Sequence, residues 1–160
     1  MTQEWFGQPG GILMRFLTTG ADTGGAYFEF ESVISPGAPG PPPHLHRVES
    51  EAFSVTEGVL SVRHGAEWHE LGRGTSHTVP PNVVHAFANR GTSDVRVVTR
   101  ETPAGQLQEQ LLVFAEAGRI PPLLQLAAVN SRHDFTFRSP AYRPLCRRSC
   151  GAGWPASPTS

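Results

Sequence analysis

Residues 41–53 read PPPHLHRVESEAF: a proline run, two histidines with one residue between them, and a glutamate five positions after the second. On an extended chain residues i and i+2 project to the same face, so the imidazoles of His44 and His46 can point at one spot. A turn through Arg47 to Ser50 can then bring Glu51 back beside them. Thirty-four residues after Glu51, VPPNVVHAFAN (79–89) supplies His85 at the head of another strand-like run. Three neutral imidazoles and one carboxylate make a borderline donor set, suited to Mn, Fe, Co, Ni, Cu or Zn rather than to Mg or Ca.

Outward from this stretch, Leu13 to about Pro103 consists of short apolar or alternating runs broken by Gly, Pro and Asn, among them YFEFESVIS, EAFSVTEGVLSVRH and VRVVTR. These read as strands, and their spacing suggests a sandwich or barrel. In YFEFESVIS the alternation places Phe28, Phe30 and Ile34 on one face and Tyr27, Glu29 and Glu31 on the other. After Pro103 the period changes. GQLQEQLLVFAEAGR carries Leu107, Leu111, Leu112, Phe114 and Ala115 at helical spacing and stops at Gly118. A second short helix is expected behind Pro121 and Pro122, through LLQLAAVN. Both helices are expected to cap the barrel or its mouth. The division is therefore one domain over residues 1–137 and a mobile tail rich in Pro, Ser and Arg over 138–160.

The chain has 160 residues, 38% of them hydrophobic, enough for one domain with a core but short for two. Thirteen basic residues against fourteen acidic leave a net charge of −1, which gives no electrostatic case for nucleic acid or an anionic membrane as partner. The sequence contains no lysine, so Schiff-base chemistry, pyridoxal phosphate attachment and the lysine-ending phosphate loop are excluded. Cys146 and Cys150 have three residues between them, a spacing of neither zinc ribbons nor thioredoxin-type motifs, and read as incidental thiols. No apolar run suits a signal peptide or a membrane span, so a cytoplasmic protein is expected.

The stretch His44-x-His46, four residues, Glu51, six residues, Gly58 resembles the first motif of the cupin superfamily in every spacing. The second motif is matched by Gly74, five residues, Pro80, then His85 and Asn89. Two positions depart from it: Asn82 stands where glycine is usual, and Thr75 where an acid often follows the glycine. Asparagine tolerates left-handed backbone angles, so the turn survives. The fifteen residues from Val59 to Arg73 are the short spacing of compact single-domain cupins. TGADTGGAYFEFESVISPGAPGPPPHLH and the trailing RETPAG before a helix resemble the quercetin-dioxygenase-like cupins, and the likeness extends over about residues 5 to 137.

The resemblance implies an all-β double-stranded β-helix, a jelly-roll barrel, with short C-terminal helices. It implies one divalent transition metal (Fe, Mn, Ni, Co or Zn) held by His44, His46, Glu51 and His85, and a homodimer. The leading function is a metal-dependent dioxygenase acting on an aromatic or enolisable small molecule, with Glu51 able to leave the metal and accept a substrate proton. A non-redox cyclase or isomerase and a small-molecule-binding cupin without turnover are the alternatives. If the strands are regular, Phe53 and Phe87 share faces with Glu51 and His85 and wall a substrate site, and His77 points into the barrel as a substrate contact. Asn89 is expected to tie a turn. His64 and His69 flank the turn HGAEWHE and are expected in solvent, with Glu67 and Trp68 on the surface beside them. His133 follows the second helix without a visible partner.

Overall fold

Short apolar runs of period two, interrupted at Gly, Pro and Asn, pair in this chain into two antiparallel sheets facing each other. The structure is a computed structural model that describes residues 4–117 and 136–137. In chain order the elements are β1 (Phe6–Gln8), β2 (Ile12–Thr18), β3 (Phe28–Ile34), β4 (His44–Leu45), β5 (Ser50–Glu57) and β6 (Val59–His64). There follow β7 (Glu67–Gly72), β8 (Ser76–Val79), β9 (His85–Ala88), β10 (Val95–Thr102), helix α1 (Leu107–Ala117) and β11 (Thr136–Phe137). One sheet runs β1-β2-β3-β10-β5-β8 and the other β11-β4-β9-β6-β7. This is the jelly-roll barrel expected from the sequence. The first expected helix is α1, described as far as Ala117, and Gly118, where it is expected to stop, lies outside the described residues. The second expected helix, His133, both cysteines and the tail lie outside the described residues.

The core fills the space between the sheets. Phe28, Phe30 and Ile34 of β3, Phe53 and Val55 of β5, Leu60 and Val62 of β6 and Val95 and Val97 of β10 are all buried. Each set alternates along its strand, so one face of every strand is apolar. Glu31, expected on the outer face of β3, lies there but is still buried, because the side chains of Arg15 and Arg96 close over it. Arg15 Nε donates to Glu31 Oε2 at 2.7 Å and Arg96 Nη1 to Oε1 at 3.1 Å. Both guanidinium groups also lie over the Trp5 ring.

Two glycines are required by close approach. Gly58 closes the β5–β6 turn with φ of 78°, and a Cβ there would meet the Asp94 carbonyl oxygen at 2.6 Å. Gly40, just ahead of the His44 stretch, has φ of 65°, and its Cβ would come within 1.9 Å of the Phe87 carbonyl oxygen. The segment leading into β4 therefore lies flat against β9. That contact sets His44 beside His85, which are register partners in the β4–β9 pairing. No helix among the described residues is long and apolar enough to cross a membrane.

Candidate metal centre

His44 enters from β4, Glu51 from β5, His85 from β9, and His46 from the short connection between β4 and β5. All four face the barrel interior and are 1–5% exposed. One ligand atom from each lies within 4.8 Å of the others. The His44 and His85 ring centroids are 4.3 Å apart, and the His46 ring lies 5.3 Å from the first and 5.2 Å from the second. The His85 Nε2 atom is 2.8 Å from Glu51 Oε2, and that of His46 is 3.6 Å from the same oxygen.

The backbone sets the orientation of two rings. His44 Nδ1–H donates to the Pro42 carbonyl at 2.8 Å, and His85 Nδ1–H donates to the Val83 carbonyl at 3.0 Å. A carbonyl can only accept, so both Nδ1 atoms carry the proton and each Nε2 is turned toward the cluster. His46 is positioned by its backbone: its carbonyl accepts from Asn82 N–H at 2.7 Å, and Asn82 Nδ2 donates to the Arg47 carbonyl at 3.2 Å. Asn82 has φ of 64°, the left-handed conformation that asparagine was expected to supply in place of glycine. Asn89, expected to tie a turn, donates from Nδ2 to the carbonyls of Ile34 and Ser93, both at 2.8 Å, and accepts from Gly91 N–H at 3.0 Å.

The electrostatics suit a cation. Burial, and next the nearby His85, push the His44 pKa down to about 3, against an opposing pull from Glu51. His44 is therefore neutral at physiological pH. Burial opposes charge on Glu51, but the close His46 imidazole and the hydrogen-bonded His85 outweigh it and hold the carboxyl well below the usual carboxylate range. Burial likewise opposes a proton on His85, but the hydrogen bond and charge of Glu51 prevail and raise its pKa. The ionised carboxylate favours a positive charge in this buried site, and the raised His85 pKa is one expression of it. Imidazole and carboxylate donors that converge at this spacing, two with fixed tautomers, fit a divalent transition metal.

A cleft of about 700 Å³, counting the space open at its mouth, leads to His44 and Glu51. Its walls include Met14, Phe30 and Phe87 of the barrel and Leu107, Leu111 and Phe114 of α1. The last three recur at helical spacing, so α1 lays its apolar face over the mouth, as expected for this helix. Among the described residues only Gln8, His44 and Glu51 contribute polar side chains to the lining, and no cationic side chain other than histidine takes part.

The other residues singled out from the sequence separate in space. Phe87 lines the cleft, whereas Phe53 is fully buried and packs on Phe87 with ring centroids 5.8 Å apart. His77 takes the inward register opposite Phe53 but is absent from the cleft lining. Its Nε2 lies 2.9 Å from His64 Nδ1. Partial burial, and then the proximity of His64 and His69, lower its pKa. The expectation that His64 and His69 sit in solvent is corrected: both are half-buried and form one cluster with His77. In β6 and β7 they continue the inward faces of Leu60 and Val62 and of Leu71, a register not evident from a turn-flanking sequence. Trp68 is exposed as expected, with the Arg90 guanidinium 3.6 Å above its ring.

Glu101 was not singled out from the sequence. It ends β10 opposite Glu51 in register and is 1% exposed. Burial pushes its pKa up to about 7, against a hydrogen bond from Gly105 N–H at 3.0 Å. With Glu49 and His46 it forms a second group of close ligand atoms that shares His46 with the first. The alternation in VRVVTRET, inward at Val95, Val97, Thr99 and Glu101, is the signal that could have found it.

Residues 30–99 match the family model of the cupin domain. No curated protein sequence matches the chain. Among solved structures, an RmlC-like cupin from Shewanella frigidimarina is similar at 24% identity with a TM-score of 0.56, covering 64% of this chain and 86% of the other. The polyketide cyclase RemF from Streptomyces resistomycificus is similar at 20% identity with a TM-score of 0.55, covering 63% and 74%. A predicted oxalate decarboxylase from Thermotoga maritima is similar at 18% identity with a TM-score of 0.56, covering 64% and 93%. At these identities the likeness shows the fold, which is that of a cupin.

Proposed function

From a cupin fold with a buried three-histidine, one-glutamate cluster under an apolar cleft, we propose a metal-dependent dioxygenase for a small aromatic or enolisable substrate. The observation that carries the substrate class is the cleft lining. Met14, Phe30, Phe87, Leu107, Leu111 and Phe114 suit a flat apolar body, and the polar atoms of the lining sit mainly at the cluster. Among the described residues no arginine lines the cleft to pair with a phosphate or a dicarboxylate, and the chain has no lysine. A substrate with one ionisable hydroxyl or an acidic C–H, presented to the cluster from an apolar body, meets both conditions.

A divalent transition metal held by His44, His46, Glu51 and His85 would lower the pKa of a substrate hydroxyl and support its oxidation by dioxygen. The protein contributes orientation, exclusion of water and proton movement. His44 and His85 are fixed through Nδ1 by the Pro42 and Val83 carbonyls, so they do not turn as substrate enters. Phe87, Phe30 and the apolar face of α1 keep water from the reacting end of the substrate. Glu51 both lines the cleft and touches His85, which places its carboxylate to take the proton that the substrate loses.

The test is oxygen uptake by protein loaded in turn with Fe, Mn, Ni and Co, using a flavonol and a β-diketone as substrates and oxalate and a sugar phosphate as controls. Uptake with the first pair alone is expected, with loss in Glu51→Gln even where metal remains bound. Product formed from the same substrates without oxygen would replace this reading with a cyclase or isomerase.

A further inference from the structure

Strands β7 and β8 are the edges of their respective sheets, and no ladder joins them. Three imidazoles gather across that gap. His64 ends β6, His69 lies on β7 and His77 on β8. The register pairs Val62 with His69, His64 with Glu67, and Phe53 with His77, so all these side chains lie on the inward faces of their strands. His64 Nδ1 and His77 Nε2 are 2.9 Å apart. The His69 ring stacks on that of His77 with centroids 5.2 Å apart and an interplanar angle of 24°. Glu67 Oε2 lies 4.0 Å from His69 Nε2.

We propose that His64, His69 and His77, with Glu67 beside them, form a second site for a divalent transition metal of the zinc or copper class, joining the two open sheet edges. Two imidazole nitrogens on one tetrahedral ion at about 2.0–2.1 Å stand about 3.3 Å apart, so the His64–His77 pair has only to open by about 0.4 Å from its present separation. His69 completes the set by turning its ring, for which its 40% exposed side chain has room. Glu67 is more exposed and can follow it as a fourth, oxygen donor. The donors repeat the composition of the buried centre and share no residue with it.

The test uses the full chain without a histidine tag, with Zn²⁺ as probe, equilibrium dialysis for stoichiometry and thermal unfolding as a second readout. Wild type is expected to take up two equivalents, and His69→Gln/His77→Gln one. The His44→Ala/His46→Ala variant is expected to keep one equivalent and to rise in Tm with Zn²⁺, a rise that disappears when the second pair of substitutions is added. Equal zinc uptake by wild type and His69→Gln/His77→Gln overturns the site, and this comparison stands even if the His44/His46 variant does not fold. A folded His44→Ala/His46→Ala chain that takes up no zinc overturns it as well. Failure of the buried centre alone reads differently: wild type and the His44/His46 variant would then bind the same single equivalent.

Discussion

The barrel holds two clusters of three histidines and a glutamate, and they differ in what fixes the rings. Around His44, His46 and His85 the partners are backbone carbonyls and a buried carboxylate, and the side chains are at most 5% exposed. Around His64, His69 and His77 the partners are chiefly one another, at half-buried positions on strand ends and edges. The first cluster is arranged before any ion arrives, so little ordering is left to oppose binding or catalysis. The second must move a side chain to close. Chemistry that needs fixed geometry belongs to the first, and a binding role that tolerates rearrangement suits the second.

The largest effect should come from breaking the ordered cluster. His46→Ala is expected to lower metal affinity there by more than the roughly 10–100-fold typical of losing a residue that only orients a ligand. It should abolish turnover, whereas His69→Gln should leave turnover with the same substrates intact. Metal analysis alongside steady-state rates separates the two. Equal loss of turnover in both would mean that the clusters work as one site.

The next effect sharpens the contrast through burial. Glu101 has its pKa raised to about 7 in the folded chain against an ordinary value of 4.5. Between these values the unfolded chain has lost the proton that the folded chain keeps. Stability therefore falls as pH rises from about 4.5 to about 7 and is level above that. At about 1.4 kcal/mol per pKa unit the cost is on the order of 3 to 4 kcal/mol. Glu101→Gln should recover up to that amount in metal-free protein at pH 8 and nothing below pH 4. Urea unfolding at several pH values checks it; an unchanged slope with pH in the variant would assign the dependence elsewhere.

Most of the ordered centre was legible because its residues lie in two short stretches, the first read from strand period and both matched by the resemblance to the cupin motifs. His44 and His46 share a face by strand period, and His85 heads a strand that pairs with β4. Helix α1 was legible from its period. The second cluster was not, because it depends on which strand edges face each other across the barrel. Nothing in HGAEWHE or in SHTV records that β7 and β8 come together. Glu101 was legible as an inward position from the alternation in VRVVTRET, but its place opposite Glu51 is set by register with β5. Phe53 and Phe87 looked equivalent by alternation, yet only Phe87 reaches the cleft.

The smallest effect concerns the turn at Asn82, one of the two positions where the sequence departs from the cupin motifs it resembles. Asn82 holds φ at 64° and sends its N–H to the His46 carbonyl, so the turn positions a ligand through the backbone. Its side chain adds an exposed hydrogen bond of 3.2 Å to the Arg47 carbonyl, worth little against water. Asn82→Gly keeps the backbone angle and should change stability by a few tenths of a kcal/mol, with metal affinity unaltered. Asn82→Ala puts a β-carbon on a left-handed residue without the local hydrogen bonding that asparagine supplies. It should cost about 1 kcal/mol and loosen the backbone under His46. Thermal melts with and without metal distinguish the cases. If alanine shifts the metal-free melt but not the metal-bound increment, the turn serves the fold alone, and His46 is held by the cluster rather than by Asn82.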